Sequence, residues 1–399
     1  MSEPAPLRYY PLVLASLALV LFTTSAQFLI VSPILPRIAE DLSVPEDRLG
    51  VLVTAYAIAV GGFAFLSGPV SDRLGRRTIL RFGTLWMGVA LLLHGLATTF
   101  ELLVALRFLA GTASGFLGGA AVAYIGDVVP YEKRGQAMGI VTSGFALGQV
   151  VGIPLGTLLA GWFGYRMPFV AFGGLMLAVS ALCWFALAES RTAARDGRFG
   201  LAEAIEGYRY VLSRGDLVAV NVAGASMMLS VAAFIVYQPL WIERTFEVDE
   251  TGIALLFGVG GVANAVMGAT AGYASDRVGR KPLVLASSAL LGVCMIATPF
   301  MPSYEAILAL FIFTMAQVGV RISPLNAWVT SLVDSEHRGS LMAIWLATSQ
   351  VGFAIGSWVA GFVWTNTGFL GNALVGGTGA ILTAAILAWF VPEPQGDPG

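Results

Sequence analysis

The chain has 399 residues, of which 57% are hydrophobic and only 12% are charged, and its mean hydropathy is +0.80. An ordinary soluble domain carries about 25% charged residues, so the composition excludes a water-soluble globule. The formal charge of -2 and the scattered basic residues also give no support for nucleic-acid binding. An integral helical membrane protein is the class that fits.

Apolar stretches of about 20 residues, the length that crosses a bilayer, predict twelve transmembrane helices. The spans are predicted at 10–32, 49–67, 78–97, 102–126, 136–163, 167–188, 217–242, 252–273, 282–300, 304–332, 339–365 and 370–391. No removable signal peptide is expected, because the first apolar run continues through Pro33 and Pro36 without a cleavage pattern of small residues. Cys183 and Cys294 lie in separate apolar runs and are interpreted as packing residues.

The distribution of lysine and arginine predicts the orientation in the membrane. With the N-terminus inside, the inner segments hold 16 of these residues and the outer segments hold 4. Positively charged loops stay on the cytoplasmic side, so both termini are predicted to be cytoplasmic, and the expected location is the inner or plasma membrane. The two remaining cations, Arg107 and Arg321, lie within predicted spans.

The longest polar stretch runs from Glu189 to Asp216 and divides the chain into two six-span halves. We therefore predict an N-terminal bundle over 1–188, a cytoplasmic linker over 189–216 and a C-terminal bundle over 217–399. A short amphipathic helix on the membrane surface is expected in the linker, and a solvated turn is the alternative. The apolar positions at helical spacing are Leu201, Ala204, Ile205, Tyr208 and Leu212.

The two halves carry the same loop pattern. The segment from Gly68 to Arg77, GPVSDRLGRR, reappears 204 positions later as GYASDRVGRK, from Gly272 to Lys281. The pair Arg134-Gly135 reappears as Arg338-Gly339 at the same offset. This repeat predicts an all-α integral membrane protein with twelve transmembrane helices in two pseudo-symmetric six-helix bundles. Transporters of this architecture place the substrate between halves that rock against each other.

The duplicated loop resembles the signature of the major facilitator superfamily, over essentially the whole chain, and in particular its drug and sugar efflux branch. The resemblance implies that this loop latches the two halves while the outside is open, and that it takes part in gating or proton coupling. The residues that would carry this role are Asp72, Arg73, Arg77, Asp276 and Arg277. The alternative is that the arginines only set the topology.

Two further charged residues fit the same resemblance. Asp127 ends span 4, where the resemblance implies a charge relay to Arg73 or Arg77, and a simple ion pair at the helix end is the alternative. Arg107 begins the sequence RFLAG inside span 4. A cation at that depth is expensive and should face the bundle interior. The resemblance implies a proton-relay role for Arg107, and a structural arginine is the alternative.

Span 5 carries a stripe of small residues. Glycines recur every fourth residue at Gly144, Gly148, Gly152 and Gly156, and Pro154 lies between the last two. Such a stripe permits close helix contact, and the proline bends the helix. The pattern resembles the antiporter motif of proton-coupled exporters, with the proline displaced by one residue. It favours export over uptake, and ordinary helix packing is the alternative.

The polar residues within the spans indicate which substrate chemistry the chain can hold. All 24 acidic residues fall in loops or at span ends, so a cationic substrate would find no carboxylate in the membrane. Arg321, whose repeat partner is Leu117, is predicted to face the central cavity and to bind an anionic or strongly hydrogen-bonding group, and a buried structural arginine is the alternative. The candidate substrate-binding residues are Gln27, Tyr56, Tyr237, Gln238, Asn264, Gln317, Arg321 and Asn326.

The sequence therefore predicts a secondary active transporter that moves a small organic solute by alternating access. Export by proton antiport, with a neutral polar or anionic substrate, is the favoured interpretation, and a uniporter or an exchanger without proton coupling is the alternative. A channel or a membrane enzyme is a remote alternative, since no hydrolase, nucleotide-binding or metal-binding motif is found. We expect no cofactor, no metal and a monomer whose partners are the solute, protons and the lipid bilayer.

Overall fold

The computed structural model describes residues 10–188, 201–334 and 336–393, without the side chains of residues 69, 72, 201–204 and 276. Every regular element in these ranges is a helix, and none is a β-strand. Contacts divide the described chain into two compact units. The first unit comprises residues 10–43 and 55–188, and the second comprises residues 44–54 together with everything described from residue 201 onward.

The first unit is built from eight helices, one of which it shares with the second unit. They are α1 (Tyr10–Leu29), α2 (Val31–Leu42), α3 (Glu46–Leu74), α4 (Arg76–His94), α5 (Phe100–Val128), α6 (Tyr131–Leu147), α7 (Ile153–Phe163) and α8 (Arg166–Ala186). A π-helical turn over Gly148–Gly152 joins α6 to α7. This turn lies directly before Pro154, whose nitrogen cannot donate the hydrogen bond that a regular α-helix requires.

The second unit contains seven helices besides the first residues of α3. They are α9 (Leu201–Ser213), α10 (Gly215–Ile235), α11 (Gln238–Phe246), α12 (Glu250–Val278), α13 (Arg280–Ala297), α14 (Tyr304–Ser331) and α15 (Arg338–Phe390). Helix α15 is 53 residues long and is interrupted at Gly368, whose φ of 65° is a conformation that glycine adopts at little cost. It therefore supplies two consecutive spans.

The prediction of twelve spans is confirmed. Ten helical segments of the described chain are long and apolar enough to cross a membrane, and α15 accounts for two crossings among them. The remaining span is α4, which is 19 residues long and carries three arginines, Arg76, Arg77 and Arg81, near its start. The interruption at Gly368 falls between the two last predicted spans.

The first span of each half is a broken helix, which the sequence analysis did not predict. In the first unit α1 ends at Leu29 and α2 follows at Val31, two residues before Pro33. In the second unit α10 ends at Ile235 and α11 begins at Gln238, directly before Pro239. Proline removes a backbone donor and clashes with the preceding turn, so each helix is interrupted at the same place relative to its proline.

The glycine stripe of span 5 lies against α1. A Cβ atom at Gly144, Gly148, Gly152 or Gly156 would overlap Ala18, Phe22, Ala26 or Ile30, respectively. Both series advance by four residues, so the two helices are in contact along one face over three turns. The second unit repeats the arrangement, since a Cβ atom at Gly352 or Gly356 of α15 would overlap the backbone of Ala225 or Leu229 of α10.

Helix α9 packs on the start of α15 and the segment before it. The ring of Tyr210 stacks on His337 with centroids 3.9 Å apart, and Arg214 donates to the Leu332 carbonyl oxygen at 3.3 Å. Hydrogen bonds from Arg214 to the Asp216 carboxylate raise the pKa of that guanidinium. The opposite side of α9 exposes Ile205 and Leu212. Helix α9 thus keeps one face on the protein and presents apolar side chains on the other.

Candidate functional site

The first unit holds a buried cluster of three predicted site residues, Gln27, Tyr56 and Arg107. The Arg107 side chain is fully buried (0% exposed), and its Nη2 atom donates to the Gln27 carbonyl oxygen at 3.0 Å. Its guanidinium lies over the Tyr56 ring, 4.1 Å from the centroid. A carbonyl acceptor and an aromatic face are both favourable surroundings for a buried cation.

The position of Gln27 explains why an arginine is required there. Gln27 lies in the last turn of α1, directly before the break into α2. Carbonyl groups at a helix C-terminus carry partial negative charge and lack a full set of intrahelical donors, and Arg107 supplies both a donor and a compensating charge. The side-chain amide of Gln27 is buried, and neither of its polar atoms has a hydrogen-bond partner among the described residues.

Arg321 is the second buried cation, and it lies in the interior of the second unit. It is 1% exposed, its Nη1 atom has no hydrogen-bond partner among the described residues, and no described carboxylate forms an ion pair with it. The sequence prediction placed Arg321 on a central cavity. The structure places it on the buried face of α14 in the second unit.

The neighbours of Arg321 follow from its helix and from the internal repeat. Thr314 and Trp328 lie seven residues to either side, on the same buried face of α14, and Lys281 at the start of α13 lies over the Trp328 ring at 5.7 Å. In the first unit, a Cβ atom at Gly83 would meet Leu117, and the repeat relates this pair to Ser287 and Arg321. We infer from this relation that Arg321 lies opposite the middle of α13.

A buried hydroxyl lies in that part of α13. Ser288 is 1% exposed, and its Oγ atom has no hydrogen-bond partner among the described residues. A hydroxyl can donate to an anion while a guanidinium neutralises it. Each of these two groups is therefore chemically suited to bind a carboxylate or another oxyanion.

The remaining candidate substrate residues fall into two groups. Tyr237 and Gln238 are fully buried at the break between α10 and α11, and neither amide atom of Gln238 has a described partner. Asn264 and Gln317 are half-buried, on α12 and α14, whereas Asn326 is exposed. The structure brings Gln27 and Tyr56 together with Arg107, but it does not unite the second-unit candidates around Arg321.

A cluster that the sequence analysis missed joins α3, α11 and α15. The Glu46 cluster consists of Glu46, Gly50, Tyr237, Arg244 and Trp364. Arg244 donates to both carboxylate oxygens of Glu46, and Trp364 Nε1 donates to Glu46 Oε2 at 2.7 Å. The Tyr237 hydroxyl donates to the Glu46 carbonyl oxygen at 2.7 Å and accepts from the Gly50 amide at 3.1 Å.

The Glu46 cluster is the reason that residues 44–54 belong to the second unit although they begin a helix of the first. Close backbone packing also holds these residues in the second unit, because a Cβ atom at Gly361 of α15 would overlap the Asp47 carbonyl oxygen. No local pattern marks such a cluster in the sequence. Its members are separated by up to 318 residues. In the sequence they resemble ordinary charged residues of loops and aromatic residues of the membrane interface.

The charged loop residues are only partly described. Asp127 forms an ion pair with Arg76, with 3.0 Å between Oδ2 and Nε, whereas the prediction had named Arg73 or Arg77. Arg76 begins α4 and its Nη1 atom also donates to the Ala123 carbonyl oxygen, so α4 rather than the preceding loop supplies this contact to α5. Arg73 and Arg277 are exposed. The predicted roles of the Asp72 and Asp276 side chains lie outside the described part of the structure.

Comparison with known proteins decides the family. The sequence model of the Major Facilitator Superfamily matches residues 17–231 and again residues 220–399. The chain belongs to the major facilitator superfamily. It is therefore a multi-pass membrane transporter and not an enzyme, and its superfamily supports transport of a small molecule by alternating access.

Similar proteins within the superfamily include a drug resistance protein and an amine transporter. An uncharacterized MFS-type transporter of Bacillus subtilis, YceJ, is 28% identical over 88% of this chain and 89% of its own length. The class C tetracycline resistance protein of Escherichia coli is 26% identical over 88% and 90%. The chromaffin granule amine transporter of Rattus norvegicus is 25% identical over 90% of this chain and 71% of its own length.

Solved structures share the superfamily fold. The crystal structure of a D-xylose-proton symporter superposes with a TM-score of 0.79 over 98% of this chain and 99% of that one, at 18% identity. A bacterial homologue of the human lysosomal transporter Spinster, in an inward-facing conformation, gives a TM-score of 0.75 over 96% of both chains at 16% identity. At this level of identity the likeness concerns the fold alone.

Proposed function

We propose that this transporter exports a small organic solute, neutral and polar or anionic, in exchange for protons. Arg321 carries the proposal, because it and Arg107 are the only fully buried Asp, Glu, Lys or Arg side chains in the described chain, and no described carboxylate forms an ion pair with Arg321. A buried charge is stable only with a compensating group. A substrate with an anionic or acceptor group supplies one for Arg321, whereas a cationic substrate would add a second positive charge beside it.

Arg321 is the residue that we assign to the substrate's anionic or acceptor group. Its guanidinium has a buried Nη1 atom with no hydrogen-bond partner among the described residues. Arg107 differs, since the Gln27 carbonyl and the Tyr56 ring already surround it. We therefore assign Arg107 to holding the break between α1 and α2, with the Gln27 amide as a candidate hydrogen-bonding group for a substrate.

The direction of transport is inferred from the superfamily relatives. A tetracycline resistance protein and two multidrug resistance proteins are among the similar sequences. The rat relative named an amine transporter acts on amines, but this chain has no buried carboxylate in its described helices to hold a protonated amine. Export of a non-cationic solute combines both observations.

Proton coupling is assigned to the Asp127 carboxylate. Asp127 lies near the C-terminal end of α5, the helix that also carries Arg107. Its side chain is 12% exposed and forms an ion pair with Arg76. Protonation of Asp127 would break its ion pair with Arg76. Because Arg76 begins α4 and Asp127 lies on α5, this would link proton binding to the contact between these two helices. Under this proposal both termini are cytoplasmic, as the positive loops favour.

A second candidate function is exchange without protons. It is favoured by the absence of any fully buried carboxylate in the described chain, because such a group is the usual proton carrier within a membrane. The two functions differ in one property. Exchange would be indifferent to a pH gradient, whereas proton antiport would be driven by it.

A ligand screen followed by a flux assay tests the proposal. Purified protein is heated with sugars, organic acids, amphipathic drugs and lipids, and the stabilising compounds are then tested in proteoliposomes for counterflow. We expect saturable counterflow of a neutral or anionic compound, accelerated by an inward proton gradient. Flux that rises linearly without saturation would indicate a channel, and stabilisation by cationic compounds alone would contradict the proposed substrate class.

Two variants localise the site. Arg321→Gln keeps hydrogen-bonding capacity but removes the charge, and we expect it to abolish transport of an anionic compound while leaving the yield of folded protein unchanged. Ser331→Ala is the matched control, because Ser331 lies on the same helix, is exposed and is not a candidate substrate-binding residue. Unchanged kinetics in Arg321→Gln would refute the assignment of Arg321.

A further inference from the structure

The break between α10 and α11 is held by one buried amide on α15. Asn372 is fully buried (0% exposed), and its Nδ2 atom donates to the Ala233 carbonyl oxygen at 3.0 Å and to the Ala360 carbonyl oxygen at 3.1 Å. Ala233 lies in the last turn of α10, and Ala360 lies in the part of α15 before Gly368. One side chain thus ties three helical segments together.

Both acceptors lie one helical turn from a residue of the Glu46 cluster. Ala233 precedes Tyr237 by four residues, and Ala360 precedes Trp364 by four residues. The rings of Tyr237 and Trp364 stack with centroids 5.5 Å apart, and both residues donate hydrogen bonds to Glu46. The Asn372 amide therefore fixes the two backbone segments from which these two rings project.

Packing around Asn372 leaves it little freedom to move. Phe369 stacks on Trp241 at 4.4 Å and lies 5.5 Å from Phe234, while a Cβ atom at Gly376 would press on Phe234. Phe369 lies three residues before Asn372 and Gly376 lies four residues after it. The amide is consequently held against α10 and α11 from both directions.

We propose that Asn372 is a positioning residue that sets Tyr237 and Trp364 so that together they bind the first turns of α3. In this role Asn372 controls how firmly residues 44–54 are held in the second unit. The role of Asn372 itself does not depend on the proposed function. Only its consequence does, namely that release of residues 44–54 is a step of the transport cycle. Binding of the segment itself is a property of the second unit alone.

The first unit holds its own helix break with a different residue. Counting back six residues from Pro33 gives Gln27, whose carbonyl accepts from Arg107, and counting back six from Pro239 gives Ala233, whose carbonyl accepts from Asn372. The same carbonyl of the broken helix is thus bonded in both units. The neutral amide in the second unit can reach two acceptors, and this is what connects the break to the Trp364 segment.

Hydrogen–deuterium exchange tests the proposal without any substrate. The full-length protein in lipid nanodiscs is compared with Asn372→Leu, which keeps the size of the side chain and loses both hydrogen bonds. We expect amide exchange in residues 46–54 to become about tenfold faster, as for the loss of about one net hydrogen bond, with residues 217–230 of α10 unchanged. The Gly50 amide, which donates to the Tyr237 hydroxyl, is the most direct reporter.

Thr383→Val is the matched control on the same helix. Thr383 is equally buried, but its hydroxyl bonds only to the Gly379 carbonyl oxygen of its own helix, at 2.9 Å. This variant should leave exchange in residues 46–54 unchanged. Equal acceleration across α10 and residues 46–54 in Asn372→Leu would indicate general destabilisation and would overturn a positioning role.

A double variant shows whether Asn372 acts through the tyrosine. Tyr237→Phe removes the hydroxyl that accepts from Gly50, so adding Asn372→Leu should change Gly50 exchange less than twofold further. If the fold-increases in Gly50 exchange caused by the two single substitutions multiply in the double variant, Asn372 does not act through Tyr237 and the proposal is overturned. Asn372→Ser, which keeps one donor, should be intermediate and decides the question if the leucine variant does not fold. Wild-type exchange in a folded serine variant would then contradict the proposal. Because no substrate is used, failure here leaves the transport assays unaffected.

Discussion

The guanidinium of Arg107 donates a 3.0 Å hydrogen bond to the backbone carbonyl oxygen of Gln27. Arg107 is on α5 and Gln27 lies in the last turn of α1, so this contact joins a cation to the negative end of a broken helix. It gives Arg107 a structural task that does not depend on substrate. The residue that the sequence suggested for proton relay therefore first holds the geometry of the first span.

Replacement of Arg107 should destabilise the first unit. Arg107→Leu leaves the Gln27 carbonyl without its donor, and we expect a loss of about 2 kcal/mol in unfolding free energy. Arg107→Lys should recover less than half of this, because an ammonium cannot both donate to the carbonyl and lie flat over the Tyr56 ring. Thermal or denaturant unfolding of the purified protein measures both. Wild-type stability in the lysine variant would contradict this account.

The span pattern and the repeat were predictable because they are local or periodic. Apolar length predicts the helices, and the offset of 204 residues predicts two equivalent bundles. The breaks before Pro33 and Pro239 were not predicted, since both fall inside continuous apolar runs. A proline in such a run permits a kink or a full interruption, and the partners that decide between them, Arg107 and Asn372, are distant in sequence.

The glycine stripe predicts that alanine substitutions at Gly139 of α6 and at Gly148 of the π-helical turn after it have different effects on stability. Gly148 faces Phe22 of α1 so closely that a Cβ atom would overlap its carbonyl oxygen, whereas nothing lies near a Cβ atom at Gly139. Gly148→Ala should cost about 1–3 kcal/mol through overpacking. Gly139→Ala should be neutral or stabilise by about 0.5–1 kcal/mol, because alanine favours the helix. Equal thermal midpoints for the two variants would show that α1 and α6 are not in this contact.

The Glu46 cluster gives a prediction with a graded outcome. Trp364→Phe keeps the stack on Tyr237 and loses the hydrogen bond to Glu46, whereas Trp364→Leu loses both. We expect amide exchange in residues 46–54 to rise in the order wild type, phenylalanine, leucine. The Arg244 to Glu46 pair is partly exposed, so Arg244→Gln alone should change stability by less than about 1 kcal/mol. A phenylalanine variant that exchanges faster than the leucine variant would contradict the geometry.

The ion pair of Asp127 and Arg76 separates proton coupling from substrate movement. Asp127→Asn removes the titratable carboxylate but keeps a side chain of the same shape beside Arg76. We expect the acceleration of counterflow by a pH gradient to disappear, while exchange at equal pH on both sides persists. Glu132→Gln, an exposed position at the start of α6, is the control. A preserved response to the gradient in Asp127→Asn would assign coupling to another group or to none.

The candidate substrate-binding residues were only partly predictable from sequence. Arg321 was identified because it breaks the repeat, but its depth inside the second unit follows from the spacing of α14 against α13, which no single-helix pattern contains. Trp364 and Glu46 carry no signal of their own, since an aromatic or acidic residue at a span end is ordinary. Only the folded contacts turn them into a binding cluster.

The central claim is that Arg321, a buried cation that no described carboxylate pairs with, selects a non-cationic solute. Its most direct test is thermal stabilisation by matched compounds that differ only in carrying a carboxylate, a primary amide or an ammonium group. We predict that the carboxylate and amide members stabilise the protein above the ammonium member, and that Arg321→Gln removes the advantage of the carboxylate over the amide. Strongest stabilisation by the ammonium member, or an unchanged ranking in Arg321→Gln, would contradict the account.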